Sequence, residues 1–320
     1  MRPDDRNGER IGTRQHYVPQ FLLRNFTDDG GSLRVFDKQT DRVFCTSPAN
    51  MAAECGFYDY RSSEGRTETL DGAMSWLDDQ AAEVVAHLLE ERGLDSLADH
   101  QRYLVAAFAA AQLVRTASLR RSITHVTEEF ADRLGRWGTA VQSAVEAGDF
   151  EPPFSESAGE GVSLEQLEQL SENDMRVMSL RLIQNSVTRY VPILLQKRWC
   201  LAAAPNGAPF YCSDNPVVLH NERQTRFGGL GIGQRGIQIY LPLSSTLMLC
   251  MFCPELAQEF RDVENSLPIS LPPQCVTFQN SLQVTYAERF VFCKRDGFEL
   301  IRQILADHPD YRNGPRGAFT

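Results

Sequence analysis

The chain has no run of residues long and apolar enough to enter a bilayer. Its longest nearly uncharged helical stretch, Tyr103 to Val114, is closed by Arg102 and Arg115, whereas about 20 apolar residues are needed to span a membrane. An apolar leader is missing as well. Met1 to Gln15 is rich in Arg, Asp and Gly, so a cytoplasmic protein with no membrane partner is expected. Positive charge is scarce: 32 Lys and Arg face 42 Asp and Glu, a formal net charge of −10. An acidic chain is not drawn as a whole toward nucleic acid or anionic lipid, which makes duplex nucleic acid an unfavoured partner. Common catalytic signatures are absent too, with no H-E-x-x-H, no G-x-S-x-G and no P-loop. No internal repeat is visible.

What is present is ordinary globular composition, 42% hydrophobic and 23% charged over 320 residues. That is enough for a large core in one domain or two. Eight cysteines occur, most of them in apolar runs where the thiol behaves as a small hydrophobe. The only C-x-x-C, Cys250 to Cys253, lies in the apolar run Leu247–Cys253 with no second pair or His nearby. A zinc site is not expected there, and all eight cysteines read as structural.

Residues 1–13 read as a disordered tail. Residues 14–150 would hold an N-terminal motif, a hairpin and a helical region, and 151–162 a linker. Residues 163–305 would add a helix and a sheet region, forming one composite domain with 14–150, before a tail at 306–320. Pro19 to Phe26 reads as a short helix, and Leu33–Phe36 with Arg42–Cys45 as a hairpin. Asn50–Tyr60 suggests a helical turn and then a strand ending in Phe57 and Tyr58. Leu70, Met74, Leu77, Ala81, Val84, Val85 and Leu88 mark an amphipathic helix stopped by Gly93. A helical stretch follows from Ser96 to Ala147, broken near Thr116–Ser118. Ser163 to Gln166 has capping-box spacing and opens a further helix ending near Arg198. Strands are expected at Trp199–Ala204, Phe210–Ser213, Val217–His220, Ile237–Leu243 and Leu247–Cys253, then helix and strand over Cys275–Lys294. The order argues α+β, with a helical region packed on a C-terminal antiparallel or mixed sheet and a short N-terminal hairpin.

Four constellations could carry chemistry. His16 precedes the first helix, and Gln20 and Arg24 share a helix face at i, i+4, a grouping that suits phosphate or carboxylate. Otherwise His16 only caps that helix. Gln112 and Arg115 fall on the apolar stripe of Leu104 and Phe108, so Arg115 is either a buried ion-pair member or a bidentate anion ligand. Asp214 and Asn215 follow an apolar strand, and Pro216 holds Asn215 extended. They suit a base or metal ligand, or an Asx turn. The loop Asn221 to Gly236 carries Arg223, Arg226 and Arg235 among five glycines. Its Gly231-x-Gly233-x-x-Gly236 spelling is followed by a strand, which excludes the dinucleotide fold and leaves either a lid over an anion or an ordinary flexible hairpin loop.

Together these segments resemble a large bacterial domain-of-unknown-function family. His16–Phe26 is similar to its HYVPxFYLRNF-type start, Phe108–Arg121 to its Q-x-x-R-T-P helix, Tyr211–Val217 to its T-S-D-N-P-V element and Leu241–Ser244 to its P-L-S strand. Ala117, Cys212 and Leu22 depart from that pattern without removing a charged side chain. The resemblance implies no activity, but it gathers His16, Gln112, Arg115, Asp214 and Asn215 into one polar site.

The function expected is that of a hydrolase acting on a small anionic, phosphoester or nucleotide-like substrate. His16 would be base or metal ligand, and Asp214 would orient it or share a divalent metal ion, with Glu54 as an extra ligand. Arg115 would hold the anion with Arg24 or Arg226, while Gln20, Gln112 and Asn215 position it. The competing expectation is a non-catalytic module binding a ligand or nucleic-acid end. In a third, purely structural reading Arg115 and Asp214 pair with each other.

Overall fold

The computed structural model describes residues 13–125, 136, 171–222, 230–255 and 267–313. The tail at 1–12, the linker, the cap at Ser163 and Arg226 lie outside them. The described residues form an α+β fold. In chain order they give β1 (Arg14–His16), α1 (Gln20–Arg24), β2 (Leu33–Asp37), β3 (Arg42–Thr46), β4 (Ala53–Cys55), β5 (Asp59–Arg61) and β6 (Thr67–Thr69). Next come α2 (Asp71–Glu91), α3 (Asp99–Val114), α4 (Glu172–Leu195), β7 (Arg198–Ala203), β8 (Cys212–Ser213), β9 (Val218–His220), β10 (Gln238–Pro242) and β11 (Leu247–Phe252). The chain closes with β12 (Ile269–Ser270), α5 (Pro273–Tyr286), β13 (Phe290–Cys293) and α6 (Glu299–Asp307).

A five-stranded sheet runs β12-β7-β11-β10-β9 and is mixed, because β12 joins β7 in parallel while the other pairs are antiparallel. Its strands alternate faces, as period-2 geometry requires. Trp199 and Leu201 enter the core shared with α2, α3 and α4, whereas Cys200 and Ala202 face Val276 of α5. The same alternation puts Cys250 and Cys253 in different cores, so the C-x-x-C is not a site. Cys45 and Cys55 are exposed, unlike the buried thiols of β7, β11 and β13.

The expected hairpin forms as β2 and β3, with Asp41 in the left-handed region at φ 57° in its turn. It is not free-standing: β13 pairs along β2, and β8 pairs along β13, giving a four-stranded sheet in the order β3-β2-β13-β8. The strand expected to end in Phe57 and Tyr58 instead stops at Cys55 as β4, which pairs with β1.

Helix α2 buries Met74, Leu77, Ala81, Val84, Val85 and Leu88, the stripe read from the sequence. Arg92 rather than Gly93 takes the left-handed cap, at φ 53°. Helix α3 is buried on almost every side from Val105 to Ala111, and its alanines let α2 and α4 pack closely on it. It breaks at Arg115 and Thr116, and helix resumes over 117–125. Helix α4 starts at a reciprocal cap, where Ser171 Oγ accepts from Asp174 N at 3.2 Å and Ser171 N donates to Asp174 Oδ2 at 2.9 Å.

Candidate functional site

A cavity of about 380 Å³ opens between the segment β1–α1 and the first half of α2. One wall carries Arg14, His16, Gln20 and Arg24, and the other Asp71, Ser75, Asp78 and Asp79. The α2 residues follow i, i+4, i+7 and i+8, so a single helix face supplies that wall. Three of the expected residues, His16, Gln20 and Arg24, therefore meet here. As read from the i, i+4 spacing, Arg24 donates to Gln20 Oε1 at 3.1 Å. Helix α1 has only five residues, so the pull on an anion comes from the arginines rather than from a helix dipole.

His16 is half-buried, and one nitrogen is pinned: Nε2 lies 3.2 Å from the carbonyl oxygen of Ala49. A carbonyl only accepts, so Nε2 carries the hydrogen in the neutral ring and Nδ1 keeps the lone pair. The backbone of His16 is held in turn by Tyr58, whose hydroxyl donates to His16 O at 3.0 Å. Desolvation lowers the His16 pKa below 6.5, helped by Arg14 and Arg24 and opposed by the Ala49 bond and by Asp71. Burial, and then the like charge of Asp59, raise the Asp71 carboxyl, while His16 pulls it down. Acid and base are thus shifted toward each other across the cavity.

Arg115 does not reach the cavity as an anion ligand. Its guanidinium is fully buried and is consumed by protein partners: Nη2 donates to Asp78 Oδ1 at 2.5 Å and Nε to Gln112 Oε1 at 2.9 Å. Gln112 then donates to the carbonyl of Tyr17 at 2.9 Å. These two residues tie α3 to α2 and to the backbone beside His16, so they position the wall and do not face a ligand. The buried ion pair expected of Arg115 forms, but with Asp78 of α2 and not with Asp214.

Asp214 is also not brought to His16. Its Oδ1 accepts from Glu288 N and its Oδ2 from Arg289 N and Phe290 N, each at 2.8 Å. These amides lead into β13, so the carboxylate fastens the S-D-N-P turn to the four-stranded sheet. Burial pushes its pKa up to about 6 against the pull of the three N–H groups and of Lys38. Lys38 is itself buried, donating to Val284 O and Ala287 O at 2.7 Å, and burial lowers it to about 8. Asn215 spends its amide on Tyr286 O at 3.1 Å, and lines a separate cavity of about 60 Å³. Both readings of this motif as ligand-binding give way to a turn clamped by α5 and β13, because every strong acceptor of Asp214 is already filled by backbone.

Glu54 lies on exposed β4, with its carboxylate 4.0 Å from Arg120. No three His, Cys, Asp or Glu side chains among the described residues are placed to share a metal ion. The acids that do face His16, Asp71, Asp78 and Asp79, were missed from the sequence. Their spacing on α2 was visible, but an acidic face opposite an apolar stripe ordinarily meets solvent. Gln15 was also missed. It is buried, donating to Asp59 Oδ1 at 2.8 Å and accepting from Tyr58 N at 2.6 Å, which aligns β1 with the loop before β5.

Among the described residues, no helix is long and apolar enough to cross a membrane. No curated protein and no solved structure gives a match to the chain. One family model does match, over residues 14–297, and it spans all the elements that build this cavity. The chain belongs to the family described as protein of unknown function DUF4238.

Proposed function

We propose that the cavity between β1–α1 and α2 binds and hydrolyses a small substrate with an anionic, phosphoester-like group. One observation carries this reading. A single cavity joins a histidine with one nitrogen pinned and the other basic, two arginines on its own wall, and a carboxyl on the wall opposite. Arg24, steadied by Gln20, and Arg14 hold the anion, because guanidinium groups match phosphate oxygens in geometry and charge. His16 Nδ1 takes the proton of the attacking water as a general base while the P–O bond to the leaving group breaks. The imidazolium returns that proton to the departing oxygen, and the lowered pKa keeps the resting ring neutral at pH 7. Asp71 faces the imidazolium that forms and stabilises it. The role first given to Asp214 falls to Asp71, and that of Arg115 to Arg14. Arg115 and Gln112 keep the acidic wall in place.

The test is hydrolysis of a panel of aryl phosphates, phosphodiesters and nucleotides by the wild type and by His16→Asn. Removal of a general base lowers turnover by about 10²–10⁴-fold. Half-buried His16 bonds only one carbonyl, so the unfolding midpoint should stay close to wild type. Stoichiometric binding of these compounds without product from the wild type overturns the hydrolase reading and leaves a binding module.

A further inference from the structure

We infer that the ligand of this cavity is dipolar, carrying a protonated amine at the end away from its anionic group. The inference rests on the cavity being a ligand site, as proposed above, and adds which class of molecule fits it.

The two walls bear opposite charge. Arg14 and Arg24 stand on the β1–α1 wall, and Asp71 and Asp79 on the α2 wall. The third acid of the α2 wall, Asp78, is neutralised from behind by Arg115. The remaining charges are therefore two positive and two negative, and the cavity as a whole is formally neutral. Among the described residues, no ion pair joins the walls. Arg14 donates to a backbone carbonyl, that of Asn50, and Arg24 to an uncharged amide, that of Gln20. The backbone N–H of Asp71 donates to Thr69 Oγ1 at 3.2 Å, and among the described residues no side chain of the opposite wall donates to the carboxylate of Asp71 or Asp79. Both signs nevertheless act on one imidazole, since Arg14 and Arg24 lower the His16 pKa and Asp71 raises it.

Four opposite charges held in one concavity without pairing select against a ligand of one sign. An anion alone gains from the arginines and loses to the carboxylates, and an amine alone meets the reverse. A molecule with both ends gains at each wall. Its anion lies on Arg14 and Arg24, and its ammonium donates to the carboxylates of Asp71 and Asp79. Ser75, one turn from both acids, adds a hydroxyl for a further ammonium N–H. The volume, about 380 Å³, falls in the range of small-molecule sites. Aminoalkyl phosphates and molecules of similar charge pattern meet these conditions.

Calorimetry on the full chain tests this with ω-aminoalkyl phosphates of graded chain length. Each is compared with its N-acetyl counterpart and with the alkylamine lacking phosphate. The expected result is that the best-fitting member binds about tenfold more tightly than either control, the order expected for one added charge-assisted contact. Asp71→Asn and Asp79→Asn should erase that preference, and each should tighten binding of the N-acetyl compound, because a carboxylate that opposed its anion is gone. Ser75→Lys, which places a cation on the acidic wall at an exposed position, should erase it too. Equal binding of amine and N-acetyl forms at every length overturns the inference, as does a preference that survives all three variants. If N-acetyl phosphates bind and the amine adds nothing, the anion-site reading stands and only the dipolar ligand falls. If no phosphate binds at all, both fall.

Discussion

Arg115 at the end of α3 donates to Asp78 of α2 at 2.5 Å, and only the carboxylate of the two touches the cavity. Arg115 has no exposed side-chain surface, while 17% of Asp78 is open. The arginine is therefore the hidden half of the acidic wall. It sets where Asp78 points and cancels its charge, and through Gln112 it fixes Tyr17, the residue after His16. The guanidinium expected to grip a ligand instead holds together three parts of the chain that build the site.

Removing one half of this pair leaves a charge with no partner in a desolvated place. Arg115→Met should cost about 3–5 kcal/mol in urea unfolding. Adding Asp78→Leu should recover a large part of that loss, because two apolar side chains leave no unpaired charge. A double variant as unstable as the sum of the two singles would show that the pair is not the source of the effect.

The imidazole of His16 should titrate below 6.5, since desolvation is the largest influence on it. Proton NMR across pH 4–8, with the resonance assigned by its loss in His16→Asn, measures this. Asp71 raises that pKa, so Asp71→Asn should move the midpoint lower still. An unchanged midpoint would place the carboxyl out of reach of the ring.

Asp214→Asn should destabilise the fold by about 2–4 kcal/mol, because an amide cannot accept three backbone N–H groups on two oxygens. Hydrogen exchange at residues 288–290 should accelerate by more than exchange in α3. The pH dependence has a definite sign. The folded pKa, about 6, lies above the ordinary 3.8, so this group's contribution to stability is full below 3.8 and is lost as pH rises through 6. Lys38, lowered only to about 8, stays charged over that range. Wild type should therefore gain on Asp214→Asn as pH is lowered from 7 to 4, as read from paired unfolding curves.

Elements defined by local pattern were legible in the sequence. The stripe of α2, the β2–β3 hairpin and the strands β7, β10 and β11 follow from periodicity, which a single segment carries by itself. Pairings between distant segments were not. Nothing in Phe290–Cys293 says that it lies beside Leu33–Asp37, and nothing in Ala53–Cys55 names β1 as its partner. The site divided along the same line. His16, Gln20 and Arg24 are neighbours in sequence and meet in one cavity. Asp214 was drawn to His16 by residue type and by the family resemblance, although its position before Pro216 in a turn already allowed the backbone-bonding role that it fills. Asp71 and Asp78 went unnoticed because helix spacing shows which residues share a face but not what that face meets.

The place of β13 between β2 and β8 has a consequence for how the protein is made. During synthesis the hairpin emerges first, and the free edge of β2 (Leu33–Asp37) waits for a strand at Phe290–Cys293, about 250 residues later in the chain. At about 5–20 residues per second that interval is on the order of tens of seconds. Until then the backbone amides and carbonyls of β2 can pair with the wrong strand, including one from a neighbouring nascent chain. Once it arrives, β13 closes that edge and, through Asp214, fixes the turn beside it in the same event.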